Sequence, residues 1–272
     1  MSLGKELSDV ASTYRGDVRL IGEFISSAGN LLIKKLNKKP NAPFTAEEIE
    51  QLRLLADAFE KAAEKAKAYE DDADKSLSKK ERHNFNTRIS ISKNVSTYAQ
   101  QVASSLKQRT FLAEMSLSYL ISYQEAFIKD YLLRLLIHKH QLLKSGATIS
   151  YEDIADHRSM RMLWSALAKK EVDALGYGNI DDVAVFFLKK LHIELSTYKK
   201  WELLREHSFR RNLIIHNRGI INDIYRKKTG TKQRTGHLET NIEYVVSAVD
   251  NIANFMDFIH VSVLKKFRLK SS

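Results

Sequence analysis

In the run Arg210-Arg211-Asn212-Leu213-Ile214-Ile215-His216-Asn217-Arg218-Gly219, an arginine, an asparagine and a histidine close a stretch of helical pattern. The Arg211 guanidinium is charged at every physiological pH and offers a fork of donors that matches a phosphate, whereas the His216 imidazole exchanges a proton near neutrality. On a helix, Asn212 and His216 lie four residues apart and share a face. Arg211 sits one position round and reaches across with its long side chain. A fixed cation beside a proton-transfer group suffices to cleave RNA without a metal. RNA carries its own 2′-hydroxyl nucleophile, so the protein has only to move protons and stabilise charge on the phosphate.

Charge is concentrated around this run. The chain of 272 residues has a formal net charge of +11. Residues 205–234 hold nine cations (Arg205, Arg210, Arg211, Arg218, Arg226, Lys227, Lys228, Lys232 and Arg234) against two acids, Glu206 and Asp223. Such a patch suits a polyanion, and it equally suits a solvated helix face followed by a basic loop. There is no cysteine, so disulfides and thiolate metal sites are excluded. His138 and His140, two apart, point to different helix faces, and the other histidines lack partners at ligand spacing, so no metal and no cofactor are expected.

The elements that position these residues are helical. With only two prolines, Pro40 and Pro43, and few glycines, the chain lacks the breakers that separate strands, and an all-α fold follows. Residues 5–36 form a first helix. Thr45 with Glu48 and Ser78 with Glu81 are capping boxes that open two more, one carrying Ile49, Leu52, Ala56, Phe59, Ala63, Ala66 and Ala73 and the other continuing to Leu106. Residues 111–143 form a core helix through Leu112, Met115, Tyr119, Leu120, Tyr123, Phe127, Tyr131, Leu135 and Leu136, stopped by Ser145-Gly146. Glu125 and Lys129 lie four apart on it, at the spacing of a helix ion pair. Ser150 starts a helix through Leu167. Gly176-Tyr177-Gly178-Asn179 is a turn and not a dinucleotide loop, because no strand precedes it and a third glycine is missing. Asp181 or Asp182 caps the next helix, and Ser196 the one that ends at His216 and Gly219. The apolar stretch 245–264 is interrupted by Asp250, Asp257 and His260 and reads as a buried amphipathic helix rather than a bilayer span. The start of the chain shows no signal-peptide core, and a soluble, cytoplasmic protein is expected.

The arrangement Arg211-Asn212, three residues, His216-Asn217, then Gly219 and Tyr225, resembles the signature of the HEPN superfamily, over roughly residues 111–267. The resemblance implies an α-helical bundle over residues 109–272, preceded by an accessory helical region, 1–108, for partner contact or dimerisation. It implies a homodimer whose paired motifs form a metal-independent ribonuclease site. Arg211 would bind phosphate, His216 act as general acid or base and Asn212 orient, with Glu125 and Lys129 in support. Two histidines across the dimer would supply acid and base, giving a 2′,3′-cyclic phosphate product and no action on DNA. Arg210, Arg218, Arg226, Lys227, Lys228, Lys232 and Arg234 would contact the RNA backbone. Tyr225 would stack on a base or, more commonly for a lone tyrosine, pack inside. A toxin or phage-defence effector held by an antitoxin or sensor protein fits this reading. The other class is a member that binds RNA or nucleotide, or acts as a scaffold, without cleaving.

Overall fold

The computed structural model describes residues 2–34, 79–144, 148–175 and 179–270. The expected helix with the Thr45/Glu48 cap, the Ser78 cap, the Ser145-Gly146 stop and the Gly176-Tyr177-Gly178 turn lie outside the described residues. Within them the chain is all-α, as its composition requires, with no strand among the described residues and one isolated antiparallel bridge, Ile220 to His237. No helix among the described residues is long and apolar enough to cross a membrane.

Helix α1 spans Leu3–Lys34 and α2 spans Lys79–His138. The chain divides into two compact units, one made of residues 1–25 and 114–272 and the other of residues 26–113. The smaller unit holds the last turns of α1 and the first part of α2. The division corrects the boundary expected at 108/109, because the first 25 residues belong with the bundle. Leu7, Val10, Ala11, Val18 and Ile25 are buried along one face of α1. Tyr14 packs against Tyr123 and Phe127, Arg15 pairs with Asp257, and Gly22 lies so close to Val249 that an added Cβ would come within 2.9 Å of its side chain. An apolar stripe announces that a face is buried but not what it is buried against.

The sequence between Lys79 and His138 contains no glycine or proline, and α2 runs unbroken through the position near residue 108 where two helices were expected. It ends at His138, five residues early, and His140–Leu143 follow as a 3-10 turn. The α2 core consists of Leu117, Leu120, Ile121, Phe127, Ile128, Tyr131, Leu132, Leu135 and Leu136. Met115 and Tyr119, expected in that stripe, are instead 56% and 57% exposed. The buried face is rotated toward Leu117 and Ile121.

Next come α3 (Tyr151–Ala155) and α4 (Met160–Leu175), two helices where one was expected from Ser150. Then α5 (Ile180–Phe186) begins on a capping box formed by Asn179 and Asp182, so Asn179 rather than Asp181 holds the cap position. A π-turn, Phe187–Leu191, extends it to His192, which is left-handed at φ 52°. A 3-10 turn, Leu195–Thr197, occupies the position where Ser196 was expected to cap, and α6 (Trp201–Asn217) starts at Lys200 without a side-chain cap. Asn222 caps α7 (Asp223–Thr229), and Asn241 caps α8 (Ile242–Phe267).

Helix α8 is the axis of the larger unit. Its Phe255 packs on Tyr198 and Trp201, and His260 accepts or donates at both nitrogens, to Ser8 of α1 at 3.3 Å and Tyr131 of α2 at 2.9 Å. Burial, with Arg15 nearby, lowers the His260 pKa, as expected for an imidazole kept neutral to join three helices. Truncating a fully enclosed ring such as Phe127 costs about 3–5 kcal/mol in such cores.

Candidate functional site

Helix α6 meets the middle of α2 at Arg211, whose Nη2 donates to Glu125 Oε1. The Arg211 side chain is 17% exposed and Glu125 43%. The expected Glu125–Lys129 helix pair is therefore superseded: a guanidinium, with its planar fork, takes the carboxylate from across the helix interface. Lys129 lies beside it, lining with Glu125, Gln124, Asn179 and Ser208 a cavity of about 30 Å³. Gln124 is 1% exposed, and neither of its amide atoms has a hydrogen-bond partner; the buried Arg211 Nε lacks one too.

One turn on, Asn212 is half-buried and His216 is exposed, on the same face of α6. Arg218 adopts φ 52° and closes the helix, and both its N–H and that of Gly219, the latter at 3.1 Å, return to Leu213 O. The Asn217 side chain donates to Ile220 O at 2.5 Å. Gly219, at φ 74°, admits the His237 ring so closely that a Cβ would lie 2.6 Å from its Nε2. Asn217 and Gly219 thus shape the turn after His216. His237 Nε2 stands 3.4 Å from Glu114 Oε1 of α2, where burial raises the Glu114 pKa and the histidine partly offsets it. Ile221 N–H to Gly236 O at 3.0 Å and Leu238 N–H to Gly219 O at 2.8 Å pin the two ends of the basic segment together.

Earlier on α6, the half-buried Glu206 is a hub. Arg210 Nε donates to its Oε1 at 2.7 Å, Tyr225 hydroxyl donates to the same oxygen at 2.5 Å, and Tyr244 hydroxyl donates to Oε2. His207 Nδ1 lies 2.5 Å from the Tyr244 hydroxyl. Burial pushes the Glu206 carboxyl up, but the bonds from His207, Tyr225 and Tyr244 together with the Arg210 charge outweigh it and hold the pKa at about 2. Burial first, and then the Glu206 charge, raise both tyrosines.

This hub corrects two expected RNA contacts. Tyr225 is buried with Phe209, Leu213, Ile221 and Leu238, so its ring presents no face for stacking. Arg210 lies over the Tyr244 ring at 3.9 Å and donates to Glu239 O at 2.6 Å, which commits it to the fold. Arg226 pairs with Asp223, and Lys228 pairs with Asp181 at 3.2 Å, an acid that also takes Arg205 at 2.6 Å. Among the described residues, Arg218, Lys227, Lys232 and Arg234 are exposed and carry no acidic partner, so within residues 205–234 these four remain available at the surface. Pairing decides availability, and charge density alone could not.

Sequence reasoning missed Glu206, His207, Tyr244, Asp181 and His237. The four-residue spacing of Glu206 and Arg210 was a legible signal. The tyrosines that complete the hub lie 19 and 38 residues from Glu206 and gave none. Among the described residues, no group of three or more His, Asp or Glu is placed to hold a metal ion. Neither a scan against protein-family models nor searches of the curated proteins and of the solved structures return a match to the chain.

Proposed function

We propose that the chain is a metal-independent endoribonuclease of HEPN type, acting as a homodimer on RNA inside the cell, as a toxin or phage-defence effector under the control of a second protein. The observation that carries the reading is the end of α6: His216 is exposed, Asn212 shares its face, and Arg211 is held at the root of the same turn by Glu125. Within residues 205–234, Arg218, Lys227, Lys232 and Arg234 are exposed and, among the described residues, have no acidic partner.

In this reading one histidine of the dimer removes the 2′-hydroxyl proton and the 2′-oxygen attacks phosphorus. The bond to the 5′-oxygen breaks as the other histidine delivers a proton to it, leaving a 2′,3′-cyclic phosphate. Arg211 stabilises the charge that builds on the phosphate oxygens, and Asn212 orients the substrate or the imidazole.

A second reading rests on the Arg211–Glu125 pair. A guanidinium that is 17% exposed and already bonded to a carboxylate is poorly placed to meet a phosphate, which favours an RNA-binding or scaffold module without cleavage. Incubating mixed RNA with the purified chain in EDTA separates the two. Cleavage that leaves cyclic phosphate ends, spares DNA and disappears in His216→Ala and in Arg211→Ala supports the enzyme. RNA retention by wild type with no cleavage leaves the binding module.

A further inference from the structure

A second cavity of about 890 Å³ lies away from Arg211 and His216, between α4 and residues 140–144 and 148–149. Its size is that of small-molecule sites, which enclose about 300–1,000 Å³. Leu143, Leu163, Leu167 and Ala174 give it apolar walls. Among its lining residues the His140 and Trp164 rings are stacked, with centroids 5.0 Å apart and planes 17° from parallel. Lys144 and Lys170 line the same space, both exposed and neither with an acidic partner among the described residues. The one carboxylate among its lining residues, Glu171, is paired with Lys190 at 3.5 Å.

An apolar chamber, a flat aromatic edge and two uncommitted ammonium groups select a ligand that is planar at one end and anionic at the other. We propose that this cavity binds a mononucleotide, its base extending the His140–Trp164 stack and its phosphate held by Lys144 and Lys170. Stacking on an aromatic side chain supplies affinity without base identity, and the lysines supply a salt-sensitive attraction to phosphate. The site is independent of the ribonuclease reading, since none of its residues belongs to the α6 turn.

The test is calorimetric titration of the full chain with AMP, adenosine and ribose 5-phosphate. AMP is expected to bind more tightly than either fragment, with affinity falling as salt rises. Trp164→Ala weakens AMP about tenfold or more, the measure of a lost stack. The double variant Lys144→Glu/Lys170→Glu brings AMP to or below the affinity of adenosine and leaves adenosine unchanged. Both lysines are exposed, so this variant carries the test should Trp164→Ala lose its helical circular dichroism. AMP binding no tighter than the fragments, no binding at all, or binding indifferent to the lysine variant overturns the proposal.

Discussion

Replacing Glu206 with glutamine keeps the side-chain volume and removes the charge on which Arg210, Tyr225, Tyr244 and His207 converge. The carboxyl titrates at about 2 in the folded chain against 4.5 for the unperturbed group. At 1.36 kcal/mol per unit, that difference is about 3 kcal/mol of stability. Because the folded value is the lower one, the contribution is complete above pH 4.5 and is lost as pH falls through about 2. The variant also leaves the Arg210 guanidinium, 11% exposed, without its counter-charge, so the loss near neutrality can approach the roughly 3–5 kcal/mol seen when one partner of a buried pair is removed. Urea unfolding followed by far-ultraviolet circular dichroism, run on both proteins across acid pH, measures the gap directly, and subtracting one from the other cancels every other carboxylate. Wild type is expected to be more stable by about 3 kcal/mol near neutrality, with the gap closing between pH 4.5 and about 2. Equal stability near neutrality, or a gap that persists unchanged into acid, refutes the placing of an ionised Glu206 at the hub.

Gly219→Ala combines a left-handed backbone with a Cβ 2.6 Å from His237 Nε2; it is expected to cost about 1–2 kcal/mol and to speed proteolysis within residues 226–234, and unchanged stability and proteolysis would contradict the geometry of that turn. Glu125→Gln releases the Arg211 guanidinium, so RNA affinity in filter binding should rise several-fold with a salt slope steeper by about one phosphate contact; a fall in affinity instead assigns Glu125 a positioning role.

The all-α fold was legible because the scarcity of breakers announces helices locally, whereas the caps were read less well: Asn179 holds the position expected of Asp181 or Asp182, and the Asn222 cap that opens α7 was not foreseen. The orientation of each helix was less so. Met115 and Tyr119 share the periodicity of Leu117 and Ile121 closely enough that only the packed neighbours decide which pair is buried. The same limit hid the role of α1, whose partners on α2 and α8 lie more than a hundred residues away along the chain. At the site, the shared face of Asn212 and His216 follows from helical spacing alone. The bond between Arg211 and Glu125 spans 86 residues and has no local signature. The basic run could be counted from sequence, but which of its cations remain available depends on Asp181, Glu206 and Asp223 in three dimensions.

The clasp between residues 219–221 and 236–238 gives the segment between them a mechanical character. Arg226 reaches Arg234 O at 3.2 Å, and Gln233 reaches Thr235 O at 3.3 Å, so the segment is cross-braced as well as tied at its ends. Were a polyanion to dock at Lys227, Lys232 and Arg234, it would meet them on a preassembled frame, and the segment would lose little chain entropy. Cutting the strap would leave the charges in place and still weaken their joint grip, as happens when a rigid comb is replaced by a loose thread carrying the same teeth.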